Sequence, residues 1–119
     1  HHAVLRTLYE AEPHFWILPW AILPEVDSLL LTHVGAHTER LFVADLVEGR
    51  YAVEWHSERD LARAVELNAR YAELELGLVD ALVIAMAERL RADAIATLDI
   101  RDFGAVDIVG APRLIPRDL

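Results

Sequence analysis

The stretch LGLVDALVIAMAERL, residues 76–90, limits the fold more than any other part of the chain. Its pattern predicts a helix over 78–91 that is apolar on nearly every face. A helix without a solvent face must be enclosed by other elements. AIATL, residues 94–98, follows at once and reads as a strand. A buried helix feeding a short strand is the repeating unit of α/β domains. One carboxylate, Asp80, interrupts the helix in its first turn, and its presence there needs a reason.

The rest of the chain continues the alternation. Residues 3–11 read as a short helix stopped by Pro13, and FWIL (15–18) as a buried strand. A helix runs through EVDSLLLTHV, starting near residues 21–24 because Pro24 is tolerated only in a first turn. Gly35 is expected to end it, Thr38 to cap the next helix (TERLFVADLVE), and Gly49 to close that one. YAVEW (51–55) reads as a strand. SERD (57–60) has capping-box spacing, with Asp in place of Glu. The helix behind it carries Leu61, Val65, Asn68 and Tyr71 on one face and reaches Gly77. DFGAVD reads as a turn region and RLIP as a last short strand. The expected architecture is a single α/β domain over residues 1–119 with a mainly parallel sheet.

Composition narrows the chemistry. There is no cysteine, which removes disulfides, thiolate metal sites and thiol nucleophiles, and fits a cytoplasmic protein. All 11 basic residues are Arg, so lysine chemistry is excluded. A phospho-acceptor signalling domain shares the acids at strand ends, but its chemistry needs a lysine beside them. The net charge of −9 opposes generic binding to nucleic-acid backbone, so any such reading must explain the charge. Apolar residues make up 55% of the chain, above the usual share, which is consistent with a homodimer. No apolar run is long enough to span a membrane.

The acids are expected to converge. A helix of about four turns spans roughly 20 Å, and the following strand returns across the sheet. Asp80 at the helix start and Asp99 after AIATL therefore fall at one edge. Glu25 follows the strand FWIL, in the first turn of its own helix, and belongs to the same edge. Ligands bind at the carboxyl edge of open parallel sheets. Each acid alone is explained by the helix dipole or by a turn; three together repel unless a cation lies between them. An all-oxygen set suits Mg²⁺ or Mn²⁺ rather than zinc.

LGLVDALVIAMAERL followed by IATLDIRDF closely resembles the C-terminal half of PIN-domain proteins, with VapC-type toxins the nearest match, and ILPEVDSLLL resembles the family's central acidic helix. The resemblance implies a three-layer α/β/α domain and a Mg²⁺- or Mn²⁺-dependent ribonuclease acting as the toxin of a toxin–antitoxin pair. It carries the family's acids to Glu25, Asp80 and Asp99, with Asp102 as an additional metal ligand. It also implies RNA as substrate and an antitoxin that covers the acidic cleft, inserting an Arg among the acids. Thr97, two residues before Asp99, is a candidate to orient a carboxylate or a metal-bound water, with a purely structural strand role as its alternative, and Arg101 is a candidate contact to RNA phosphate, with a salt bridge to Asp102 or another acid as its alternative. The family pattern opens with a strand ending in Asp, which nothing in this chain matches. About 20 residues are therefore expected to precede His1. A non-catalytic PIN-like module that binds RNA or protein is the alternative.

Other candidates have simpler explanations. His33 and His37 have the spacing of a metal pair but lack the acid of the metalloprotease motif, and Gly35 lies between them. Trp16, Trp20 and Trp55 read as core or interface aromatics rather than base-stacking residues. Arg70, Arg89 and Arg91 can contact phosphates, but Arg89 and Arg91 sit at a helix C-terminus, where cations are favoured anyway.

Overall fold

Short parallel strands and longer helices alternate along the chain in the computed structural model, which describes residues 16–97 and 100–118. The described residues form two compact units, one ending at Trp55 and the other beginning at His56.

In the first unit, β1 (Ile17–Pro19) pairs in parallel with β2 (Ala52–Glu54), in the register Ile17↔Ala52, Leu18↔Val53 and Pro19↔Glu54. Pro19 has no N–H to continue a ladder, and the strand stops there. A 3₁₀ turn over Trp20–Ile22 leads into α1 (Leu23–Leu29), with Pro24 in the first turn, where no backbone bond is lost. A π-helical turn over Leu30–Val34 follows. Gly35, at φ 130°, then redirects the chain into α2 (Ala36–Val47). Gly35 itself occupies the N-cap, so Thr38, expected as the cap, sits inside the first turn. Phe42 of α2 meets Tyr51 at 5.7 Å between ring centroids, seating the helix against the approach to β2.

The second unit holds most of the core. Its helices α3 (Glu58–Arg70) and α4 (Gly77–Arg89) pack against each other. Helix α4 buries Ala81, Leu82, Ile84, Ala85, Met86 and Ala87, as its all-round apolar pattern requires. Each of the larger side chains contributes roughly 1.5–3 kcal/mol by leaving water. β3 (Ala94–Ala96) pairs in parallel with β4 (Arg113–Ile115). Ile95 and Leu114 are register partners and both buried.

Polar contacts fix how α3 meets α4. The capping box forms: Asp60 N–H donates to Ser57 Oγ at 3.2 Å, and Ser57 N–H donates to Asp60 Oδ2 at 2.8 Å. Asp60 is 2% exposed, and Arg89 Nε donates to both of its oxygens, at 3.1 and 3.0 Å. One turn on, Arg63 grips Glu88 with two bonds of 2.8 and 3.1 Å, and Val109 N–H donates to Glu88 at 2.9 Å. Buried pairs of this kind set register more than they add net stability.

Three expectations change. Helix α3 ends at Arg70 rather than running to Gly77, because Tyr71 leaves helical geometry and a 3₁₀ turn over Ala72–Leu74 follows. The buried face of α3 is Asp60, Ala64 and Leu67, while Leu61 and Val65 are exposed. The region read as a turn at DFGAVD lies partly in α5 (Ile100–Ala105). Phe103 and Val106, three residues apart, are both buried, and this anchoring outweighs the helix-breaking tendency of Gly104.

Two stability predictions follow from these contacts. Ser57→Ala should lower unfolding free energy by about 1 kcal/mol, the cost of a lost N-cap. Asp60→Ala should cost about 3 kcal/mol, because Arg89 then loses its buried partner; urea denaturation checks both, and equal losses would contradict the shared role of Asp60. The second prediction concerns acid. Burial pushes the Glu88 carboxyl up, but the Arg63 hydrogen bond, Val109 N–H and the Arg63 charge together hold it below its ordinary value. Asp118, gripped by Arg117 and Leu114 N–H, falls from 3.8 to about 2. Both contributions are complete above the unfolded values and fade as pH falls through the lower folded ones. The urea midpoint should therefore drop between about pH 4.5 and pH 2, and Glu88→Gln should drop less than the parent. An identical acid response in the variant would remove Glu88 from this account.

Candidate active site

Helix α4 enters β3 through the short connection Leu90–Asp93, so helix and strand run in opposite directions. The start of α4 and the end of β3 therefore lie toward one edge. Asp80 is in the first turn of α4 and half-buried, one turn before the fully buried Ile84. An acid there gains from the helix dipole and from the unpaired N–H groups of the first turn. Burial of the following turns also holds its backbone rigidly. At the end of β3, Thr97 N–H donates to the Ile115 carbonyl at 3.0 Å, extending the β3–β4 pairing by one bond. Thr97 is half-buried. Helix α5 then begins, carrying an exposed Arg101 and a half-buried Asp102 in its first turn. Asp99 lies outside the described residues.

Glu25 belongs to the other unit. It is in the first turn of α1 and exposed, just beyond the carboxyl end of β1. The same unit contains a carboxyl pair that the sequence pattern did not single out. A hydrogen bond to Asp27 raises the Glu39 carboxyl above its ordinary value; partial desolvation and the Asp27 charge add to this, and Arg40 opposes it. Asp27 is two residues beyond Glu25 and Glu39 is in the first turn of α2. The two acids lie on consecutive helices, with the Leu30–Val34 turn and Gly35 between them. Among the described residues no three potential ligands gather closely enough to hold a metal ion.

Several side candidates take other roles. Arg89 is committed to Asp60, and Arg70 lies over the Tyr71 ring at 5.3 Å. Arg91 adopts a left-handed φ of 52° just past α4, where Ala92 N–H closes the helix on the Ala87 carbonyl at 2.9 Å. His33 and His37 are exposed on either side of Gly35. Trp20 and Trp55, expected in a core or interface, are 38% and 59% exposed. A cavity of ≈ 680 Å³ is lined by residues including Glu88, Arg91, Asp93 and Arg113. It opens at the C-terminal end of α4 and the amino ends of β3 and β4, the opposite end of the helix from Asp80.

A family model for the PIN domain matches residues 1–109. The chain is also 25% identical over 112 residues to Ribonuclease VapC26 of Mycobacterium tuberculosis (strain ATCC 25618 / H37Rv), covering 94% of this chain and 83% of that protein. The family match takes in Glu25, Asp80, Asp99 and Asp102 together with both parallel strand pairs' helices, and the alternation of short parallel strands with helices agrees with it. On these grounds the chain belongs to the PIN domain family.

Proposed function

We propose that this protein is a divalent-metal-dependent endoribonuclease, the cytoplasmic toxin of a toxin–antitoxin pair. One observation carries the reading: Asp80, the one acid in the first turn of a helix whose middle is buried in the core, lies within the span of the PIN match. The likeness to Ribonuclease VapC26 supports RNA as the substrate.

Glu25, Asp80 and Asp99 would hold Mg²⁺ or Mn²⁺, with Asp102 as a further ligand. The donor set fits such an ion, because every candidate is a carboxylate and Mg²⁺ and Mn²⁺ favour oxygen. Asp80 and Glu25 also begin helices, so their backbones are fixed without the ion. When bound, the ion supplies an acidified water and charge stabilisation at phosphorus. Thr97, at the end of β3, orients a neighbouring carboxylate or water through its hydroxyl. Arg101, exposed on α5, pairs with a phosphate of the bound strand. A cation held by these carboxylates would also offset the charge of −9 toward an anionic substrate.

An antitoxin partner and a homodimer belong to the same proposal. The apolar side chains exposed on the first unit, among them Leu29, Val34, Leu41 and Val47, support a protein-covered face there. Light scattering at micromolar protein should give a dimer mass; a monomer would remove that element alone.

Asp80→Asn should lower cleavage of single-stranded RNA by at least about 100-fold, the scale of losing one preorganised electrostatic group, with the circular dichroism spectrum unchanged. Chelation by EDTA should stop cleavage by the parent, and Mn²⁺ should restore it. Cleavage that persists in EDTA contradicts the metal-dependent reading. A folded protein that binds RNA without cutting it at any metal concentration would instead be a non-catalytic PIN module.

A further inference from the structure

Two indoles form a solvent-facing stack at the carboxyl end of the β1–β2 pair. Trp20 and Trp55 directly follow Pro19 and Glu54, the last register partners of the two strands. Parallel neighbours sit roughly 4.8 Å apart. The two rings accordingly stack with centroids 4.5 Å apart and planes 18° from parallel. Stacking does not remove them from water: Trp20 stays 38% exposed and Trp55 59% exposed. Exposed indole surface is uncommon away from binding surfaces, because tryptophan is among the most buried residues on average. The chain continues from Trp20 through one 3₁₀ turn into α1, which places Glu25 five residues on, in the first turn of that helix.

We propose that the Trp20–Trp55 stack is a platform for an unpaired nucleobase of the RNA substrate, positioning the strand beside the Glu25 end of the site. This rests on the ribonuclease reading and adds a base-binding position on the protein: the indole pair itself. The chemistry favours bases over backbone. A net charge of −9 gives phosphates no general attraction, whereas base stacking on an aromatic ring needs no net charge. A pre-stacked pair is already ordered, so little side-chain freedom is lost on binding. Bases in an A-form duplex are stacked on each other and offer no free face, so a duplex does not use the platform.

The test uses the full chain carrying Asp80→Asn, which prevents cleavage, and a single-stranded oligonucleotide containing 2-aminopurine. Binding should quench the 2-aminopurine at one position of the strand. Adding Trp55→Ala or Trp20→Ala should weaken binding about 5- to 100-fold, the range of one lost base–aromatic stack. Trp55→Phe should keep most of the affinity. A fully paired hairpin stem of the same length should bind weakly and equally to all variants. Unchanged affinity for the single strand in a folded Trp55→Ala protein overturns the platform. If that variant also changes mass in light scattering, the indoles belong to a protein interface instead. Should an alanine variant fail to fold, absence of quenching at every position in the parent overturns the proposal on its own. RNA cleavage by the unsubstituted chain, scored separately, keeps the two readings apart: cleavage without stacking sinks only the platform, and neither cleavage nor binding sinks both.

Discussion

Helix α4 has no polar face to give to water, and the second unit is organised around enclosing it. Six of its residues are buried, Ile84 and Ala81 completely. Helix α3 covers it from one side through Ala64 and Leu67. β3 follows it directly, and Ile95 and Leu114 add to the same core. An enclosed helix cannot turn about its axis without exposing apolar surface. The backbone of Asp80 is thereby held in position by the hydrophobic burial of the turns that follow it.

The ends of α4 are chemically divided. Its C-terminal end carries the neutralised pairs: Glu88 with Arg63, and Arg89 with Asp60. These hold the register between helices and leave little unbalanced charge. The N-terminal end carries Asp80 in the first turn, with no basic residue of the helix beside it. The cavity of ≈ 680 Å³ lies at the C-terminal end, away from Asp80. Carboxylates matched to a cation need a fixed backbone and an open approach, not a deep apolar pocket.

Much of this was legible in the sequence because it depends on local rules. The Ser57–Asp60 capping box is determined by four residues, and Pro24 and Gly35 mark helix boundaries through backbone constraints that neighbours cannot override. The all-round burial of α4 follows from its composition. What escaped depends on tertiary contacts. Helix α5 forms across Gly104 because Phe103 and Val106 are anchored in the core. The buried face of α3 includes Asp60 because Arg89, 29 residues away, satisfies it. The Asp27–Glu39 pair needs the turn at Gly35 to fold α1 against α2. The indole stack needs the strand register, which no window of sequence reports. Of the expected site residues, Glu25 and Asp80 lie in first turns of helices and Thr97 just past a strand, as read from the pattern; Asp102 lies in a helix where a turn was expected, and Asp99 lies outside the described residues.

The central claim is that Glu25, Asp80 and Asp99 share one divalent ion. Crystals grown with Mn²⁺ and measured at the manganese absorption edge test it most directly. The account predicts an anomalous peak with oxygens of all three carboxylates at roughly 2.0–2.3 Å, the range for hard-cation ligands. A peak elsewhere, or the three carboxylates more than about 10 Å apart and far beyond shared coordination, would contradict it.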